Sequence, residues 1–269
     1  MTSSASGALE GFTRTDFTHD GVTRPVYRGG SGPGVVVVHE IPGITPLVAD
    51  FGRRLTSAGF TVAMPSLVGD PGRPMSGGYV AKTFTNVCIS REFSSWALNR
   101  TSPVITWLRA LARDLHARAG GPGVGAVGMC FSGGFALGMA VDAELLAPVL
   151  SQPSLPLPLG KARSRALGVS DADLARVKDR VANENLCVLG LRFSKDRAVP
   201  DARWARYRTE LGDNFIGVEI DSSPGNPHGI KKGAHSVLTE ELVDEPGHPT
   251  KDALDRVLAF FRERLAPSA

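Results

Sequence analysis

The chain has 269 residues, 42% of them hydrophobic and 21% charged, and a formal net charge of +3. That balance is ordinary for a soluble globular chain and supplies a sizeable core. Basic residues stand singly or in pairs, such as Arg53-Arg54 and Lys231-Lys232, not as the clustered face of a nucleic-acid binder, so no nucleic-acid partner is expected. No apolar run approaches the ~20 residues of a membrane span. The segment from Met1 to Phe12 lacks the basic and apolar regions of a secretory signal, so a cytoplasmic location away from membranes is expected. The three cysteines, Cys88, Cys130 and Cys187, lie too far apart for a CxxC metal site and are odd in number for a disulfide framework.

Residues 1–10 are small and polar and read as a flexible N-terminus; residues 11–269 read as one domain. The segments "FTRTDFTH" and "VTRPVYR" flank the dipeptide Asp20-Gly21, a hairpin signal. "GVVVVHE" (Gly34 to Glu40) carries four consecutive valines, the mark of a strand buried on both faces in a parallel sheet. "LVADFGRRLTSAGF" places Leu47, Phe51 and Leu55 on one helical face, with Gly59 as a C-terminal stop. "FTVAMPS" is the next strand. Residues 69–100 fit no clean element and read as a lid or cap over a site.

"SPVITWLRALARDLHARAG" is a helix, with Ser102 as its cap, Pro103 in its first position and Val104, Trp107, Leu108 and Leu111 as its apolar stripe. "VGAVGMC" is a strand followed by a helix from about Phe131. Then "LLAPVLS", "LCVLGLRFS" and "FIGVEIDS" are strands. "SDADLARVKDRVAN" (capped by Ser170), "PDARWARYRTELG" and "KDALDRVLAFFRERL" are helices. This alternation predicts an α/β fold: a mostly parallel central sheet with helices on both faces and a short N-terminal hairpin. In such sheets ligands bind at the carboxyl ends of the strands, which picks out His39, Glu40, Cys130, Ser151, Asp196, Arg197 and the loop holding His228 and His235.

"GVGAVG" (Gly123 to Gly128) matches a dinucleotide-binding pattern on paper. Its glycines, however, fall before and inside a strand instead of between a strand and a helix, so no nucleotide is expected. "GMCFSGG" fits a nucleophile elbow instead. Such a strand-to-helix turn needs small residues two before and two or three after the nucleophile. Gly128, Ser132 and Gly133 supply them if Cys130 is the nucleophile. Cys130, Gly133 and Gly134 supply them if Ser132 is. Cys130 is preferred, because Gly128 allows the closer backbone approach and the strand ends in register with Cys130. A thiol attacks as thiolate and needs a base and an orienting acid. The chain order nucleophile, acid, base is met by Cys130, Asp196 and His235, with His235 preferred to His228.

On "VVVHEIPG", "GMCFSGG", "FSKDRAVP" and "GAHS" the chain resembles the dienelactone hydrolase family of α/β-hydrolases, from about Gly34 to Leu265. The resemblance implies an α/β-hydrolase fold and cleavage of a lactone or small carboxylic ester through a triad of Cys130, His235 and Asp196, with no cofactor and no metal. It also implies that Glu40 contacts the thiol and takes part in its activation; the plainer reading of Glu40 is a partner for a nearby arginine. The Ile41 and Phe131 amides are the expected oxyanion hole. Dienelactone-cleaving members bind a substrate carboxylate with arginines, one shortly after the catalytic histidine. "HSVLTEEL" has none there, which leaves Arg91 and Arg100 as candidate substrate contacts. The other readings are an esterase or thioesterase for a bulkier acyl group, with residues 69–100 as its lid, and a ligand-binding protein that keeps the fold without turnover. His248 has no expected role.

Overall fold

The computed structural model describes residues 5–90, 93, 102–155 and 160–266, with the backbone alone for residues 5, 6, 88 and 89. A single helical turn, α1 (Ala5–Ala8), precedes β1 (Thr13–His19) and β2 (Val22–Gly29). The strands pair antiparallel with His19 opposite Val22, so the connection is Asp20-Gly21 alone. Both turn residues are left-handed, with φ of +48° and +74°. This turn matches the twist of the flanking strands, and an Asp-Gly pair adopts it with little strain.

The remaining elements alternate as β3 (Gly34–Val38), α2 (Pro46–Ser57), β4 (Thr61–Pro65), α3 (Gly77–Ile89), α4 (Pro103–Ala119), β5 (Val124–Met129), α5 (Gly133–Met139), β6 (Leu145–Ser151), α6 (Gly160–Arg165), α7 (Asp171–Asn183), β7 (Val188–Phe193), α8 (Asp201–Leu211), β8 (Phe215–Ile220) and α9 (Pro249–Leu265). The eight strands form one sheet in the order β1-β2-β4-β3-β5-β6-β7-β8. Only the pairings of β2 with β1 and with β4 are antiparallel. The order reverses beside β3, the place where an open sheet forms a crevice.

The valine run shows why the sheet is covered twice. Val35 and Val37 pack into one core with Phe51 and Leu55 of α2 and Val257, Phe260 and Phe261 of α9. Val36 and Val38 pack into the other with Leu108 of α4, Phe135 of α5, Val177 of α7 and Trp204 of α8. All four valines have no exposed surface. Each contributes on the order of 1.5–3 kcal/mol relative to exposure, and β-branching suits the pleat. Local signals set the helix starts. Thr45 Oγ1 accepts from the Val48 amide at 3.3 Å, and Pro46 fills the first position of α2. Ser170 Oγ accepts from Asp173 N at 3.1 Å. Ser102 holds the N-cap position of α4 without a capping side-chain bond.

Within residues 69–100 the structure holds a 13-residue helix, α3, where the sequence predicts no clean element. Its buried residues, Tyr79, Thr83 and Val87, recur every four positions, the spacing of one helical face. The signal is weak because the helix opens on Gly77-Gly78 and carries Thr83, Thr85 and Asn86, all poor helix formers. The Asp70 amide donates to the Tyr79 hydroxyl, and the Arg73 guanidinium stacks 4.2 Å from the Tyr79 ring centre. These contacts fasten the start of α3 to the loop after β4.

Candidate active site

β5 ends at Met129, and the chain turns sharply into α5 through the 3₁₀ turn Cys130–Ser132. Cys130 takes the turn with φ of +56°, a conformation L-residues rarely adopt and one that stores strain. The glycines around it are required by contact. A Cβ on Gly128 would lie 2.1 Å from the Ser132 carbonyl oxygen, and one on Gly133 would lie 2.5 Å from Pro153 Cα. Ser132 is fully buried. Its hydroxyl accepts from the Met129 amide at 2.8 Å and faces the Val38 carbonyl at 2.9 Å. It bolts the elbow to β3 and is closed to a ligand.

The Cys130 sulfur lies 3.1 Å from the Ser154 hydroxyl, and the Ser154 amide donates to the Cys130 carbonyl at 2.9 Å. Across the site, His235 Nδ1 lies 2.6 Å from Asp196 Oδ2. Asp196 sits in the turn after β7, where its Oδ1 accepts from the Ala198 amide at 2.9 Å. Burial works to lower the His235 pKa. The charge of the Cys130 sulfur and the hydrogen bond to Asp196 outweigh it and hold the imidazole well above its usual 6.5. The fold therefore brings Cys130, His235 and Asp196 together from three loops at the carboxyl edge of the sheet.

Glu40 is almost fully buried. Its Oε2 accepts from Ser236 Oγ at 2.6 Å and Gln152 Nε2 at 3.2 Å, and its Oε1 accepts from Thr239 Oγ1. Among the described residues it has no arginine partner and no hydrogen bond to Cys130, although both residues line the same cavity. The carboxylate instead ties the loop after β3 to the loop carrying His235.

His39, beside it, is fully buried, and burial lowers its pKa to about 4. Its Nε2 therefore accepts from the Leu67 amide at 3.0 Å, and Nδ1 carries the proton toward the Glu40 carbonyl at 2.8 Å. This fixes the loop that presents Ile41. Ile41 and Phe131 both face the cavity, and among the described residues neither amide has a hydrogen-bond acceptor.

That cavity encloses about 400 Å³ between the elbow and α3. Met75, Val80, Phe84, Val87, Phe131 and Leu155 give it apolar walls, and Cys130, Ser154, His235, Ser236 and Glu40 supply the polar groups. Arg91 and Arg100 lie outside the described residues, as does the Cys88 side chain. Asp201 starts α8 and pairs with Arg192 at 2.7 Å, away from His235. His228 stacks edge-on with His248, whose ring centre is 5.3 Å away, and His248 caps α9 by accepting from Thr250 N. Neither belongs to the site. Among the described residues no group of three or more His, Cys, Asp or Glu is placed to hold a metal ion, and no helix is long and apolar enough to cross a membrane.

Ser154, Gln152, Ser236 and Thr239 escaped the sequence reading. For Gln152 and Ser154 the available signal was position, since "QPS" follows a buried strand directly.

An open, mostly parallel sheet with a strained strand–turn–helix at its carboxyl edge defines an α/β-hydrolase fold. Solved structures agree: a Klebsiella pneumoniae protein given a dienelactone hydrolase name is 22% identical, with a TM-score of 0.64 over 94% of this chain and 98% of that one. A dienelactone hydrolase-like promiscuous phosphotriesterase from metagenomic libraries is 19% identical, with a TM-score of 0.59 over 95% and 98%. A dienelactone hydrolase from Anabaena variabilis is 15% identical, with a TM-score of 0.60 over 94% and 98%. None of the curated proteins matches the sequence. The model of the dienelactone hydrolase family matches residues 22–265. The chain belongs to the dienelactone hydrolase family and is a hydrolase of that kind.

Proposed function

We propose that this hydrolase cleaves carboxylic esters or lactones with Cys130 as nucleophile, His235 as acid–base and Asp196 as the group that orients His235. The observation that carries the reading is the left-handed Cys130 at the elbow, beside an imidazole that Asp196 holds 2.6 Å away. The Cys130 thiolate adds to the carbonyl carbon, forming a C–S bond and placing negative charge on the carbonyl oxygen. The Ile41 and Phe131 amides receive that charge. Collapse breaks the C–O bond, and His235 gives its proton to the leaving oxygen. A water then transfers a proton to His235 as its oxygen adds to the acyl carbon. Breaking the C–S bond returns the thiolate and releases the acid.

Glu40 acts as a positioning residue, through Ser236 next to His235. The apolar wall that α3 gives the cavity supports the reading of residues 69–100 as a lid over the acyl group. It favours a second reading, an esterase or thioesterase for a bulkier acyl chain. Arg91 and Arg100 remain the candidates for an anionic substrate contact, and the molecule works as a single-domain enzyme on a small-molecule substrate.

The test is turnover of an aryl ester by the wild type and by Cys130→Ala, with iodoacetamide labelling and peptide mapping. The reading requires loss of turnover in the variant and labelling of Cys130 ahead of Cys88 and Cys187. Full turnover by Cys130→Ala would refute it.

A further inference from the structure

Beyond His235 lies a second cavity, of about 460 Å³, which shares His235 and Ala198 with the apolar one. Its character is opposite. Lys195, Arg197 and Lys232 line it, all three exposed. Among the described residues none of them has a carboxylate within ion-pair distance. Asp196, the one acid among its described lining residues, is buried and committed to His235 and the Ala198 amide. Asp221, whose carboxyl also feels Lys195, is fastened to the Ser223 amide at 2.8 Å. The apolar cavity carries no lysine or arginine among its described lining residues. Charge is therefore segregated across the imidazole.

The reaction gives that segregation a direction. His235 must reach the leaving oxygen to protonate it, so the leaving group passes the imidazole while the acyl group stays under α3 with the carbonyl at the Ile41 and Phe131 amides. The cation-lined cavity borders the same imidazole, through the shared His235 and Ala198. We infer that the preferred substrates are esters whose leaving group carries a small anion, a carboxylate or a phosphate, seated among Lys195, Arg197 and Lys232. The inference rests on the esterase reading above and adds the chemical class of the leaving group. Three like charges held near one another with no carboxylate partner relieve their repulsion by taking up an anion.

The experiment compares butyryl esters of 4-hydroxybenzoate, of 4-hydroxyphenyl phosphate and of 4-hydroxybenzamide, the last being the neutral isostere of the first. The wild type is expected to show a KM about tenfold lower for an anionic ester than for the carboxamide, with the advantage shrinking as ionic strength rises. The lower of the two anionic KM values identifies carboxylate or phosphate as the group recognised. In the triple variant Lys195→Gln, Arg197→Gln, Lys232→Gln the advantage disappears. Its kcat/KM for the carboxamide ester stays within about twofold, as expected of exposed substitutions that leave the triad intact. Equal KM values for all three esters in the wild type, or an anionic advantage that survives the triple variant, overturn the inference and leave the esterase reading standing. No turnover of any ester by the wild type overturns both.

Discussion

Gln152 Nε2 donates to Glu40 Oε2 across 3.2 Å, joining the loops after β6 and β3 from positions 112 residues apart. Gln152 reaches that point with φ of +36° and no exposed surface. Its own Oε1 accepts from the Val237 amide at 3.3 Å, two residues past His235. Glu40 is thus the hub on which Gln152, Ser236 and Thr239 converge. Truncation to alanine leaves those three donors buried without their acceptor, which costs about 3 kcal/mol or more. Glu40→Ala is expected to lose about that much unfolding free energy in a urea titration, with a lower midpoint. Glu40→Gln, which keeps one acceptor oxygen, falls between it and the wild type. If Glu40→Ala kept wild-type stability and turnover, the hub would have no role in holding His235.

Asp196 and His235 make a second test. The hydrogen bond that His235 donates to Asp196 is one of the influences that raise the imidazole pKa well above 6.5. Asp196→Asn removes the carboxylate charge, and the His235 pKa is expected to drop. Ring-nitrogen NMR titration of histidine-labelled protein reads the shift directly. With the imidazole no longer held in its tautomer, kcat on an aryl ester should fall by about 10²–10⁴-fold. An unchanged His235 titration in Asp196→Asn would remove Asp196 from the site.

Most of this arrangement was legible in the sequence where one contact dictates one residue type. Val35 to Val38 announce a doubly covered strand because both faces of β3 are buried. Gly128 and Gly133 announce the elbow because no Cβ fits against Ser132 and Pro153. The partners of Glu40 were not legible, since serine, glutamine and threonine appear everywhere and only the assembled loops bring these three to one carboxylate. Arg203 was hidden for a similar reason. In "DARWARYRTEL" it looks like another surface charge, yet it is fully buried. Its guanidinium donates to the carbonyls of Ala166 at 2.8 Å, Ala198 at 2.9 Å and Pro153 at 3.1 Å, tying the acid loop to the wall of the elbow. Such a residue satisfies backbone carbonyls that no local pattern marks.

His39 predicts an acid limit to stability. Its pKa is lowered from 6.5 to about 4 by burial. Between those values the unfolded chain takes up a proton that the folded chain refuses, so stability falls as pH drops through that window. The full span amounts to about 3 kcal/mol. Urea midpoints at several pH values should show the wild type losing stability more steeply from pH 6.5 toward 4 than His39→Gln, which has no imidazole to protonate. Parallel pH slopes in the two proteins would show that His39 is not buried neutral.

Phe84 tests the acyl side of the cavity. It projects from α3 beside Val80 and Val87 and lines the apolar wall, although 41% of it remains exposed to solvent. If the acyl chain lies against this wall, each added methylene removed from water is worth about 0.8 kcal/mol, or roughly fourfold in kcat/KM. A series of linear acyl esters from acetyl upward should therefore climb by about that factor per carbon until the cavity is filled. Phe84→Ala opens the wall, so the increments should shrink for the longer acyl groups while the acetyl ester changes little. The substitution lies on a half-exposed helical face, so melting temperature should shift by only a few degrees. A flat chain-length profile in the wild type, or an unchanged one in Phe84→Ala, would place the acyl group elsewhere than under α3.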